Sequence, residues 1–276
     1  MTILKAIILG IVQGAAEFLP ISSSGHLVIV STLIGAGEPD LFFDVLLHLG
    51  TFLAVVLVYW RDVLRLLLEL FSVVGDLFGG RLFKTAAAPY RNWLYMMMVS
   101  LLPLFFVLPV KDRVEGLFSS PVFVGFALLV TGVILLFSER VSDGEKTMRS
   151  TGIRDALVVG FTQLFAIVPG ISRSGSTITA GLATGFRREY AVKYSFIISL
   201  PATLAAVILE LFDTVKAGGL PENMMPYFVG MAAAAVAGWL SISAVRLLVK
   251  RDGFKYFAYY CFVVGVATII YFSFIV

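Results

Sequence analysis

Apolar residues along the chain fall into long unbroken stretches separated by short polar ones: Leu41 to Trp60, Trp93 to Val110, Pro121 to Phe137, Ala191 to Phe212, Tyr227 to Val249 and Phe254 to Val276. A helix of that length crosses roughly 30 Å of hydrocarbon. The stretches are apolar on both faces and lack the alternation of a membrane β-strand, so helices are predicted. Two further apolar segments, 3–34 and 153–186, are interrupted at Pro20-Ile-Ser-Ser-Ser-Gly25 and Pro169-Gly-Ile-Ser-Arg-Ser-Gly175, where proline and glycine cannot continue a helix. Between Arg61 and Gly80, apolar clusters alternate with Arg65, Glu69 and Asp76, the pattern of a helix lying in the membrane interface.

Composition agrees with this reading. Of 276 residues, 59% are hydrophobic and 14% charged, where a soluble domain carries about 25% charged residues. The net charge of +3 comes from lysines and arginines placed almost wholly between the apolar stretches. It is therefore loop charge and implies no nucleic-acid partner. The single cysteine, Cys261, lies inside the last stretch and has no partner for an intrachain disulfide. Met1 to Leu19 has one lysine, and Gln13 and Glu17 interrupt its apolar run, which argues against a cleaved secretory signal.

Residues 3–26 set against 153–176 at a constant offset of 150 share nine identities in 24, among them Gly10/Gly160, Gln13/Gln163, Ser22/Ser172, Ser24/Ser174 and Gly25/Gly175. The chain is thus expected to be a single membrane domain, 1–276, built from two repeats of about 1–150 and 151–276. Each repeat is one broken segment followed by three full spans. If the broken segments turn back as re-entrant hairpins, the loops 61–92, 138–154, 187–193 and 246–255 share one side and hold sixteen Lys and Arg, against four on the other. A single crossing by the second broken segment would move two of those loops outside, against the positive-inside bias. The expected fold is therefore an all-α integral membrane protein with an inverted-topology repeat. Its two loop tips meet near the midplane and both termini lie outside.

The broken segments also carry the unusual polar residues. Ionisable groups at membrane depth cost a few kcal/mol or more unless paired or hydrated, so Glu17 and His26 need a reason to be there. Gln13 and Glu17 are four apart and share a helix face. After each break a new half-helix should begin with serine hydroxyls and free N–H groups, a start that attracts anions. The second break exchanges a serine for Arg173, whose guanidinium can fork onto two phosphate oxygens. Serine and glycine alone serve close helix packing equally well. Glu17, His26 and Arg173 on duplicated breaks shift the reading to a functional site. His48 reads as a packed or hydrogen-bonded histidine, and Asp44 and Glu210 as residues near span ends.

The strings Gln13-Gly-x-x-Glu17-Phe-Leu-Pro-x-Ser-Ser-x-Gly-His26 and Pro169-Gly-x-Ser172-Arg173-Ser174-Gly-x-Thr177 resemble the two signature motifs of the undecaprenyl-diphosphate phosphatases. Asp44-Val-x-x-His48-Leu-Gly-Thr resembles the stretch that follows the first motif in that family. The resemblance implies a bacterial cytoplasmic-membrane enzyme that hydrolyses undecaprenyl diphosphate to undecaprenyl phosphate and inorganic phosphate. It implies a site reached from the outer side, recycling of the cell-wall lipid carrier, and a link to bacitracin resistance. The first acidic position of the family takes Glu or Gln. Gln13 stands here, so Glu17 is left with the acid/base work. Ser23 is the candidate nucleophile, with His26 three residues on to orient it or carry a proton, and water activated by Glu17 is the alternative. Arg173, Ser172, Ser174 and Thr177, with Gln13 and Ser22, are expected to hold the diphosphate. No protein-built metal cage or cofactor site is visible, and a divalent cation such as Mg or Ca would arrive on the diphosphate. The expected partners are the polyprenyl diphosphate and membrane lipid, with a homodimer left open. Inverted repeats with broken helices are also the plan of many transporters, so a flippase for a polyprenyl phosphate is the competing class, and an anion channel a third.

Overall fold

The computed structural model describes residues 1–36, 41–79, 89–216, 221, 223–248 and 253–275. The basic stretches 80–88 and 249–252, which the charge count uses, lie outside the described residues. Regular structure among the described residues is helical, with one isolated bridge between Lys146 and Phe186. In chain order come α1 (Ile3–Phe18), α2 (Ser23–Leu33), α3 (Leu41–Val58), α4 (Trp60–Phe78), α5 (Pro89–Leu101), a 3-10 segment (Leu102–Val110), α6 (Lys111–Leu117) and α7 (Pro121–Glu139). They are followed by α8 (Ile153–Phe165), α9 (Arg173–Ala183), α10 (Arg188–Lys216), α11 (Met225–Leu248) and α12 (Phe254–Phe274).

Five of these, α3, α7, α10, α11 and α12, are long and apolar enough to cross a membrane, and the protein is a multi-pass helical membrane protein. The sixth expected span, Trp93 to Val110, is not one α-helix. It ends as α5 at Leu101 and continues as the 3-10 segment. Pro103 explains the change, since its ring disfavours the α conformation at residue 102 and removes an N–H from the ladder. At helical rises of 1.5 and 2.0 Å per residue the two pieces together still reach about 37 Å.

Both broken segments form pairs of helices packed on each other, α1 with α2 and α8 with α9. At 11 residues each, α2 and α9 are about 17 Å long and too short to cross alone. The two halves exchange contacts. Helix α1 lies along α11, and a Cβ on Gly10 would stand 2.3 Å from the Gly230 carbonyl oxygen, so the approach needs bare backbone. At the equivalent position a Cβ on Gly160 of α8 would stand 2.5 Å from the Ser100 carbonyl oxygen of α5. Helix α3 packs on α10, and α7 on α12.

The basic loops bond to one another at one end of this bundle. Lys193 reaches Asp62 at 2.9 Å, and Asn92 donates to the carbonyls of Met148 and Thr151. The Arg188 N–H meets Asp143, Lys146 pairs through its backbone with Gly185 and Arg187, and the Lys255 N–H meets Glu139. Helix α4 meets buried Arg91 of α5 through Glu69, Ser72 and Asp76, while its Arg61 and Arg65 are exposed. It exposes Leu64, Leu68, Phe71 and Phe78, as an interfacial helix should.

Candidate active site

The breaks fall where proline and glycine placed them, and each new helix starts with the same cap. Ser22 caps α2 by accepting from the Gly25 N–H at 3.3 Å, and Ser172 caps α9 by accepting from the Gly175 N–H at 3.0 Å. Each cap hydroxyl also lies 3.3 Å from the hydroxyl two residues on, Ser24 or Ser174. The second break is the longer, because α8 stops at Phe165 ahead of Pro169 and the chain turns through Gly170 at φ 94°. In the first break the left-handed turn falls on a non-glycine residue, Ser22, at φ 70°. Strain of that kind costs about 1–3 kcal/mol and collects at functional sites.

Each break touches the other. A Cβ on Gly25 would lie 3.0 Å from the Gly170 Cα, and one on Gly175 would lie 3.2 Å from the Pro20 side chain. Positions 25 and 175, and 20 and 170, are equivalent in the repeat, so the contact is reciprocal. Ser174 adds a hydroxyl bond to the Leu19 carbonyl, and α7 supports the second break through Thr131, which donates to the Gly170 carbonyl at 2.8 Å and accepts from the Ser172 N–H at 3.0 Å.

The first residues of the two half-helices, Ser23 and Arg173, are themselves repeat equivalents, and both reach Glu17. Glu17 lies in the last turn of α1, buried, with its neighbour Phe18 edge-on to Phe196 of α10 at 5.1 Å. Its Oε2 accepts from Ser23 Oγ at 2.5 Å and from Gln13 Nε2 at 2.9 Å, and its Oε1 accepts from Arg173 Nη2 at 2.5 Å. One carboxylate thus joins a hydroxyl from the first repeat to a guanidinium from the second.

The structure brings Gln13, Glu17, Ser23 and Arg173 together. It places other candidates differently. Both His26 ring nitrogens have partners other than Ser23 and Glu17: Nδ1 lies 2.8 Å from the Ser22 carbonyl and Nε2 2.8 Å from the Tyr260 hydroxyl, against which the ring stacks. Ser22, Ser172 and Ser174 are buried in the caps and the loop contact. Thr177, also buried, bonds back to the Arg173 carbonyl and to the Ser195 hydroxyl at 2.6 Å. These four hydroxyls therefore have internal partners that hold the breaks in shape. Ser23 and Arg173 remain partly exposed.

His48, expected as a packed or hydrogen-bonded histidine, is hydrogen-bonded through Nδ1 to the Asp44 carbonyl at 2.8 Å, and its Nε2 also lies 3.8 Å from Glu17 Oε2. The string Asp44-Val-x-x-His48 carried the only signal for it. Nothing in the sequence marks Tyr260, which belongs to the last span.

A polytopic helical membrane protein with a buried polar site where two broken segments meet is the class that fold and site define. The chain belongs to the family of the bacitracin resistance protein BacA, whose pattern matches residues 6–267. It is similar to the undecaprenyl-diphosphatase of Methanosphaera stadtmanae, with 40% identity over 98% of both chains. The same holds for the undecaprenyl-diphosphatase of Halothermothrix orenii, with 38% identity over 98% of both. That of Geotalea daltonii is 34% identical over 99% of this chain and 100% of its own.

Proposed function

We propose that the chain hydrolyses undecaprenyl diphosphate to undecaprenyl phosphate and inorganic phosphate. The observation that carries this is the Glu17 carboxylate with a serine hydroxyl on one oxygen and an arginine on the other. These are a base, a nucleophile and a phosphate-binding cation in contact. Names of the relatives agree. As Ser23 Oγ attacks the terminal phosphorus, its proton passes to Glu17 and the bond from phosphorus to the bridging oxygen breaks. Glu17 returns the proton to the departing undecaprenyl phosphate. Water then attacks the phosphoserine, giving its proton to Glu17, which hands it to Ser23 Oγ as phosphate leaves. Arg173 turns from Glu17 to the phosphoryl oxygens, since phosphoryl transfer depends on positioning and charge. A divalent ion, where one takes part, is carried by the diphosphate, and no step is assigned to it.

The same reading covers topology. Two repeats, 1–150 and 151–276, are each a re-entrant hairpin followed by three crossings, and the odd number inverts the second. The reciprocal contacts of the breaks and the exchange of α1 and α8 between halves support it. So does the gathering of the basic loops at one end, which the positive-inside bias makes cytoplasmic. The site then opens to the outer side of the cytoplasmic membrane, where the reaction recycles the lipid carrier and confers bacitracin resistance.

Purified protein in detergent, where there are no two sides to transport between, should release phosphate from undecaprenyl diphosphate, and Ser23→Ala should not. Brief incubation and acid quench should leave phosphate on Ser23. Movement of polyprenyl phosphate across vesicles with no phosphate release would replace the enzyme by a flippase. Full activity in Ser23→Ala would give the attack to water.

A further inference from the structure

His48 stands on α3, outside both motif loops, with its ring fixed at one nitrogen and aimed with the other. Nδ1 lies 2.8 Å from the Asp44 carbonyl oxygen one turn back. A carbonyl only accepts, so Nδ1 carries the proton of that bond. Nε2 is then the atom that faces the Glu17 carboxylate, 3.8 Å from Oε2. With a proton on Nε2 the contact is an ion pair with little water between, because the Glu17 side chain is 7% exposed.

Packing gives a poor account of this histidine. Its side chain is 34% exposed, so it adds little to the core, and its polar edge points at the carboxylate. The neighbours of Glu17 divide by oxygen: Arg173 on Oε1, and Gln13, Ser23 and His48 on the side of Oε2. In the reaction proposed above, Arg173 leaves Glu17 for the phosphate. A carboxylate that has lost a partner in a buried site needs another N–H donor to hold it, or it swings toward the negative substrate or after the departing guanidinium. We propose that His48 is a positioning residue which keeps Glu17 Oε2 on Ser23 once the diphosphate has taken Arg173. This inference rests on the assignment of Glu17 and Arg173 given above.

The test compares His48→Gln, whose amide can still present an N–H to the carboxylate, with His48→Leu, which keeps volume and offers none. Phosphate release from undecaprenyl diphosphate in detergent should show kcat of the leucine variant down roughly 10- to 100-fold, with KM within about threefold and an unchanged melting temperature. The glutamine variant should recover most of the loss. Wild-type kcat in His48→Leu, or equal loss in both variants, overturns the proposal. A second measurement needs no change at His48. The chain has two histidines, so ring nitrogen resonances are readily assigned. On Glu17→Gln the His48 Nε2 signal should move while that of His26, held by Ser22 and Tyr260, stays. A stationary His48 signal overturns the contact itself. Should Glu17→Gln keep full activity, the reading of the site fails instead, whatever His48 does.

Discussion

Glutamine in place of Glu17 preserves the shape of the side chain and two of its neighbours but cannot take a proton from Ser23. Glu17→Gln should therefore lower kcat by roughly 10²-fold or more. Arg173 is 23% exposed on its side chain and can turn to water when its partner is lost, so the melting temperature should change little. Wild-type turnover would remove Glu17 from the chemistry. Arg173→Lys tests the cation. Lysine keeps the charge but is a point donor without the planar fork that fixes two phosphoryl oxygens. It should be nearly as slow as Arg173→Ala, with kcat down roughly 10²-fold and KM less affected because the lipid tail still binds. Near-normal turnover in Arg173→Lys, with loss of melting temperature in Arg173→Ala, would leave Arg173 as a tie between the two breaks.

Among the elements, the close approach of the broken segments to the opposite half depends on glycine at equivalent positions. A methyl group at Gly10 or Gly160 would meet carbonyl oxygens at 2.3 and 2.5 Å, and backbone cannot step aside as a flexible side chain can. Gly10→Ala and Gly160→Ala should each cost about 1–3 kcal/mol, read as a lower melting temperature in detergent. Gly75 of α4 has open space around it. There alanine should be neutral or stabilise by up to about 1 kcal/mol through helix propensity. Equal effects at all three positions would show that the α1–α11 and α8–α5 contacts are looser than described.

At the scale of the whole molecule, the gathered basic loops lead to a labelling pattern. After replacement of buried Cys261 by serine, a single cysteine at exposed Ser119, between α6 and α7, should react with an impermeant thiol reagent on intact cells. One at exposed Ser150 should not. Gly37 and Gly218, which the expected topology would also place outside, lie outside the described residues, so Ser119 is the probe chosen. Labelling of Ser150→Cys from outside would undo the assignment of the basic end to the cytoplasm.

The membrane class, most of the spans and the two breaks were legible in the sequence because each is a local property, and the repeat is read from the sequence alone. Run length measures a helix against the bilayer, proline and glycine interrupt it, and identities at one offset need no structure to be counted. Even the 3-10 turn after Leu101 is foreshadowed by Pro103, although an apolar run alone reads as one helix. Which side chains meet was not local. Ser23 and Arg173, 150 residues apart, share one carboxylate because the two hairpins pack tip against tip, and His48 joins them because α3 turns that face inward. His26 was expected to orient Ser23 from its spacing, but its ring nitrogens go to the Ser22 carbonyl and to Tyr260 on α12. Rotation of one helix about its axis decides between such outcomes. It is set by how the remote helices fill the space around it, which residue order along any one segment does not encode.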